Sequence, residues 1–213
     1  MIYLLLMVNF CTFVYSFNSP TILKNIYNNN EWVEINRTND GKIIYQSKAT
    51  KENIKYTKVE KQVSYSSEDI FDVIQAIPNY NEIISNDNIY TELAKQYNDT
   101  LYAFQKFTNS IPFTRDRQYI FKMYQVDSTR IDWCIIDKNN PILDKYLDAS
   151  THTLTYGAGS WEIINNDHSN VLINRTFVDE EVNLPSIFLQ RLRINNVLAI
   201  FDDMLNYLDK RSN

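Results

Sequence analysis

Alternating apolar and polar side chains run through the middle of this chain, and a long helical stripe closes it. Trp32-Val33-Glu34-Ile35-Asn36 and Lys42-Ile43-Ile44-Tyr45-Gln46 flank Asn39-Asp40-Gly41. Asp-Gly between two strand patterns predicts a tight hairpin, because both residues tolerate positive φ. A third strand is expected over residues 54–64, where many Lys and Glu suggest one face in water. Strand pairs then follow at 90–97 with 100–108, at 117–126 with 130–137, and at 151–164 with 171–178. Short polar turns separate the members of each pair, so the pattern predicts a meander and an antiparallel sheet.

Helical signals interrupt the strands. Ser67, or Ser66 before it, can cap a helix whose first turn holds Glu68 and Asp69; the hydroxyl accepts from free amides and the acids complement the helix dipole. Ile70, Phe71, Val73, Ile74 and Ile77 form its apolar stripe, and Pro78 ends it. A further short turn is expected over 80–84. The closing helix is expected from Pro185 or Ser186 to about Asp209, with Ile187, Ile194, Leu198, Phe201, Leu205 and Leu208 on one face. At 1.5 Å per residue it is roughly 36 Å long, enough to cross a small domain. Leu198, Phe201 and Leu205 are its expected inner face.

Composition narrows the class. The 213 residues fit one domain, 44% of them are hydrophobic, and the net charge is -5 with no basic run. Phosphate binding needs a basic face, so nucleic acid is not expected as a partner. Aromatic residues reach 14%; they are either strand residues or the lining of an apolar pocket. Three glycines occur, Gly41, Gly157 and Gly159. The last two share one strand face and imply either a sheet bend or room for a ligand.

The first 17 residues carry no charged side chain and are almost wholly apolar. The run is short for a membrane span of roughly 20 residues and fits a secretory signal peptide over 1–16, with Val14-Tyr15-Ser16 before the cut. Export, to a periplasm or outside the cell, is expected if it is cleaved, and an N-terminal membrane anchor if it is not. Residues 17–30 read as a polar connector with a short helix near 22–27, and 31–213 as the domain. After cleavage Cys134 is the sole cysteine, so no intrachain disulfide forms.

The order of these elements resembles a START domain, the steroidogenic-acute-regulatory-related lipid-transfer domain of the helix-grip superfamily. The similar positions run from Trp32 to about Leu208. They include the hairpin at Gly41, the capped helix followed by Tyr80-Asn81, Ile111-Pro112-Phe113-Thr114-Arg115-Asp116-Arg117 entering a strand, Gly159-Ser160-Trp161, and Leu184-Pro185 before the last helix. Tyr80 stands where the family usually has tryptophan, and residues 153–156 lack an arginine found in many members. The resemblance implies an α+β helix-grip fold, a curved antiparallel sheet wrapped around the C-terminal helix. It also implies a hydrophobic tunnel for one lipid, with the 110–116 loop and the last helix as lid. Phe113 beside Pro112 would then touch a membrane transiently when the lid opens, or fold back on the core.

Reactive chemistry is sparse. His152 and His168 lie in no metal-ligand spacing, and Gly159-Ser160-Trp161 lacks the full nucleophile elbow. Cys134 beside Trp133 reads as a core thiol, and Arg115, Asp116 and Arg117 read as a loop ion cluster or a headgroup site. Arg130 and Arg175, inside strands, are candidates for a polar anchor within a pocket. The expected lipid-binding positions are Phe104, Phe113, Arg115, Arg130, Trp133, Gly157, Gly159, Arg175, Leu198, Phe201 and Leu205. No catalytic group, metal or cofactor is expected. The partner is a lipid or other hydrophobic small molecule bound by a monomer. The alternatives are a helix-grip enzyme of cyclase or hydrolase type, and an interaction module whose cavity its own side chains fill.

Overall fold

The computed structural model describes residues 19–29, 31–49, 54–108, 115–137, 140, 145–166, 169–181 and 184–212. The signal-peptide segment, Phe113 with most of its loop, and His168 lie outside them. In chain order the elements are α1 Ser19–Asn28, β1 Trp32–Arg37, β2 Ile43–Ser47, β3 Thr57–Val63, α2 Ser67–Gln75 and α3 Tyr80–Ile83. They continue with β4 Ile89–Tyr97, β5 Thr100–Phe107, β6 Arg117–Asp127, β7 Arg130–Ile135, β8 His152–Thr153, β9 Gly157–Asn165, β10 Asn170–Val178 and α4 Ser186–Ser212.

Local chemistry explains the boundaries. Gly41 turns the β1–β2 hairpin at φ 89°, in the left-handed region where only glycine is unstrained. Ser66 caps α2, its Oγ accepting from the Asp69 amide at 3.1 Å. Pro78 sits in a 3₁₀ turn over Ile77–Asn79 that links α2 to α3. Asn98 takes φ 50° at the β4–β5 turn.

Among the described residues the strands form one curved sheet in the order β1-β2-β3-β10-β9-β7-β6-β5-β4, antiparallel throughout, with short β8 paired parallel to β6. The expected meander therefore holds within β1–β3 and β4–β7 but not between them. β10 pairs with β3, and the chain reaches the far edge through α2 and α3. The strand expected over 151–164 divides at residues 154–156 into β8 and β9.

Both sheet faces are covered. The inner face packs on α2, α3 and α4 around Ile74, Tyr80, Trp161 and Phe201. On the outer face lies α1, burying Ile22 and Ile26 against Cys134, Ala158 and Phe177, so the expected connector is a packed part of the domain. The second half of α4 is anchored: Phe201 is 0% exposed with its ring 5.5 Å from that of Trp161. The Asp203 carboxylate accepts from the Ser85 amide at 3.0 Å, and Lys42 pairs with Asp202. Its first turn is not. Ile187, expected on the apolar stripe, is 70% exposed and Phe188 is 63% exposed.

Candidate functional site

Between the inner sheet face and α4 lie two adjoining spaces of about 130 and 90 Å³. Both are bounded by Tyr119, Trp133, Thr176, Val197 and Ile200. Trp133 is the shared wall, and Gly159 makes its position possible. The register sets Trp133 opposite Gly159, and a Cβ on Gly159 would lie 2.7 Å from the indole Nε1 and 2.5 Å from the Arg175 carbonyl oxygen. The room left by this glycine is thus filled by the indole. Gly157 serves close packing in the same way, with Ile135 Cδ1 2.7 Å from where its Cβ would be.

The two spaces end in different chemistry. The deeper one meets neutral polar groups: Tyr119 Oη donates to Gln105, whose Nε2 donates to Thr91 Oγ1 at 2.9 Å. Asn174 Nδ2 donates to the Ser160 carbonyl at 3.3 Å, and the Tyr80 hydroxyl is directed to the Ile74 carbonyl. Burial pushes the phenols of Tyr80 and Tyr119 well above their ordinary range.

The other space ends at Arg117, Glu180 and Arg193. Glu180 is buried, and its carboxylate accepts from Arg193 Nε at 2.8 Å and Nη2 at 2.7 Å. Desolvation pushes the Glu180 carboxyl up, and Arg193 pulls it back. Arg117 is 4% exposed; its Nε donates to the Glu180 carbonyl at 3.1 Å and its Nη1 to the Arg115 carbonyl at 3.2 Å. The Arg193 guanidinium lies 4.7 Å from the Phe177 ring centre, within cation–π range.

The expected site residues divide sharply. Trp133 lines both spaces. Leu198, Phe201 and Leu205 pack into the core beside them, whereas α4 presents Arg193, Val197, Ile200 and Met204 to the cavity. The lining stripe is rotated from the expected one: Val197 and Met204, both buried, belong to it, whereas Leu198 is only half-buried.

Arg115 is exposed, and its carbonyl accepts from Arg117 Nη1. Phe104 points to the outer face and stacks on Tyr146 at 5.7 Å. Arg130 and Arg175 also lie outside the cavity, since residues two apart share a face. Arg130 and Asp132 alternate with inward Ile131 and Trp133, and Arg175 pairs with Ser160. Both arginines lie over the Tyr27 ring of α1, at 4.2 and 5.6 Å. Arg130 pairs with Asp132 at 3.2 Å, Arg175 pairs with Glu162, and the Tyr27 hydroxyl donates to Asp132 at 3.0 Å. They secure α1, not a ligand. His152 is spent on Glu181 at 3.0 Å.

Tyr119, Gln105, Glu180 and Arg193 were not selected from sequence as lining, and Arg117 was read there only with Arg115 and Asp116 as a loop ion cluster or a headgroup site. A signal existed for part of this set: Arg117, Tyr119, Phe121 and Met123 alternate along one strand and so share a face.

A curved antiparallel sheet gripping a C-terminal helix over an enclosed space is the START, or helix-grip, fold, and this chain has it. A STAR-related lipid transfer protein from Xanthomonas axonopodis superposes with TM-score 0.69 at 10% identity, over 84% of this chain and 99% of that one. Human StAR-related lipid transfer protein 5 gives 0.68 at 10% identity, over 91% and 94%. The Zhui aromatase/cyclase from Streptomyces gives 0.54 at 10% identity, over 74% and 95%. No protein-family model matches the sequence, and no curated protein matches it either.

Proposed function

We propose that this chain binds a hydrophobic small molecule of lipid type between the sheet and α4, and releases it when the first half of α4 moves. The observation that carries this reading is the pair of adjoining spaces of about 130 and 90 Å³ walled by aromatic and aliphatic side chains. Dry apolar cavities of about 150 Å³ take up molecules such as benzene. A larger ligand, of the kind that fills pockets of roughly 300–1,000 Å³, requires the walls to part. The weakly packed start of α4 is the element able to do so. The fold neighbours named as lipid transfer proteins support the same reading.

The aromatase/cyclase neighbour raises catalysis as the alternative. Glu180 is the acid in the lining, and Arg193 occupies its carboxylate. General acid–base work needs a group within reach of the substrate proton, and a carboxylate held in an arginine fork serves structure better. Binding is therefore the stronger reading. Native mass spectrometry of protein purified without denaturant is expected to find a bound apolar species, or one gained from mixed vesicles. Apo mass in both cases would remove the reading.

Ile187 and Phe188 lie about one turn before the lining residues Leu192 and Arg193, and both are exposed. We read them as the contact with a membrane surface during exchange. Transfer of each to an apolar phase is worth about 1.5–3 kcal/mol. The double change Ile187→Asp, Phe188→Asp is therefore expected to slow lipid exchange with vesicles by at least about tenfold. Circular dichroism should be unchanged, because neither side chain is buried. Exchange at the original rate would exclude this contact.

A further inference from the structure

We infer that the cavity's ligand is an uncharged apolar molecule with a hydroxyl in its middle, a secondary alcohol held by Asn174 and Trp133 where the two spaces meet. This rests on the binding reading above and adds the ligand class to it. Strand register places the anchor. Trp133 of β7 stands opposite Gly159 of β9, and Gly159 stands opposite Thr176 of β10. Trp133 and Thr176 each line both spaces, so they mark the junction. Asn174 shares the inner face of β10 two residues from Thr176, a separation of about 7 Å, and lines the deeper space.

The hydrogen-bonding capacity left over at this junction matches a hydroxyl. Asn174 is 5% exposed, and its Nδ2 donates to the Ser160 carbonyl. That bond orients the amide, and its Oδ1 accepts from no described group. The Trp133 indole Nε1–H, packed over Gly159, donates to no described acceptor. Tyr119, Gln105 and Thr91, by contrast, satisfy one another. The charged lining residues are engaged as well. Arg193 pairs with Glu180, and Arg117 donates to the Glu180 and Arg115 carbonyls within the field of the Glu180 carboxylate.

An acceptor and a donor without partners inside an apolar cavity call for one group that donates and accepts at once, and a hydroxyl does both. The Thr176 hydroxyl beside them can take either role. A hydrocarbon pressed over both would strip them of water and return no bond. A ligand carbonyl would take the indole proton and leave the Asn174 oxygen bare. A charged head would lose its hydration among groups that carry no opposite charge. Space continues on both sides of the junction, about 130 Å³ one way and 90 Å³ the other, so apolar carbon extends from both sides of the hydroxyl.

The test uses the folded chain and three neutral probes: nonan-5-ol, nonan-5-one and nonan-1-ol. Affinities are measured by isothermal titration calorimetry at neutral pH, below the solubility limit of each probe. Nonan-5-ol is expected to bind at least about tenfold tighter than nonan-5-one, because the ketone leaves Asn174 Oδ1 covered and unpaired. It should also bind at least about threefold tighter than nonan-1-ol, whose single chain cannot fill both spaces from the junction. Asn174→Leu should bring nonan-5-ol and nonan-5-one within about threefold of each other, by loss on the alcohol side. Trp133→Phe should weaken both and keep their ratio, because both accept from the indole. Nonan-5-one binding as tightly as nonan-5-ol to the unaltered protein overturns the inference and leaves the cavity reading intact, as does tightest binding of nonan-1-ol. An alcohol preference that survives in Asn174→Leu overturns the assignment to Asn174, and unchanged affinities in Trp133→Phe overturn the assignment to Trp133. Binding of none of the three probes counts against the cavity reading itself. The ranking in the unaltered protein decides the ligand class even if Asn174→Leu fails to fold.

Discussion

Phe201→Ala is expected to lower the stability of the fold by about 3–5 kcal/mol, the usual cost of deleting a buried aromatic ring. Phe201 is 0% exposed and its ring lies 5.5 Å from that of Trp161, so the truncation leaves a void between α4 and the sheet. Urea unfolding followed by tryptophan fluorescence measures the change. The void also adjoins the deeper space, which Trp161 lines, so the variant should take up larger apolar probes than the unaltered protein. A loss below about 1 kcal/mol would mean that the void collapses, and that the sheet grips α4 elsewhere. The polar ties of Asp202 and Asp203 to Lys42 and Ser85 would then be the ones to test.

Gly159→Ala should destabilise by about 1–3 kcal/mol through overpacking, less the roughly 0.4–1 kcal/mol that alanine contributes by restricting the unfolded chain. The added Cβ would lie 2.5 Å from the Arg175 carbonyl oxygen, a backbone atom of the paired strand, and 2.7 Å from the Trp133 indole nitrogen. No side-chain rotation relieves the first clash, so the strands must separate. Relief of the second pushes Trp133 into the cavity and lowers its capacity. Gly157→Ala is the control. There the nearest atom is Ile135 Cδ1 at 2.7 Å, the end of a flexible side chain, so the cost should be smaller. Thermal unfolding of the two variants checks the order. Greater damage at Gly157 would show that Trp133 yields readily, and that Gly159 is not what holds the cavity wall.

The extent to which the site was legible follows from the range of each signal. The hairpin at Gly41, the cap of α2 and the long α4 were readable because each is set within a few residues. The pairing of β3 with β10 joins segments more than a hundred residues apart, and no local pattern specifies it. Misplacing Arg130 and Arg175 in the pocket has a related cause. Alternation says that Arg130 shares a face with Asp132, but not which face. Both faces of this sheet bury apolar side chains, the inner under α4 and the outer under α1, so hydrophobicity does not mark the inside. The stripe on α4 was displaced for the converse reason. Apolar residues of α4 also pack against α2 and α3, and the side toward the cavity mixes Arg193 and Asn196 with Val197 and Ile200.

The amino-acid sequence by itself therefore determined the kinds of element and their order, since turn chemistry, capping and periodicity act over short stretches of chain. It also supplied Trp133 and Gly159 as separate candidate positions, which the strand register then set opposite each other. The tertiary structure alone decided which sheet face is interior and where the two spaces lie. It alone brought Arg117, Glu180 and Arg193 to one end of them. Those three residues come from the start of β6, the loop after β10 and the first half of α4. Only closure of the sheet around the helix brings such distant charges together, because the contacts that place them depend on packing across the whole domain.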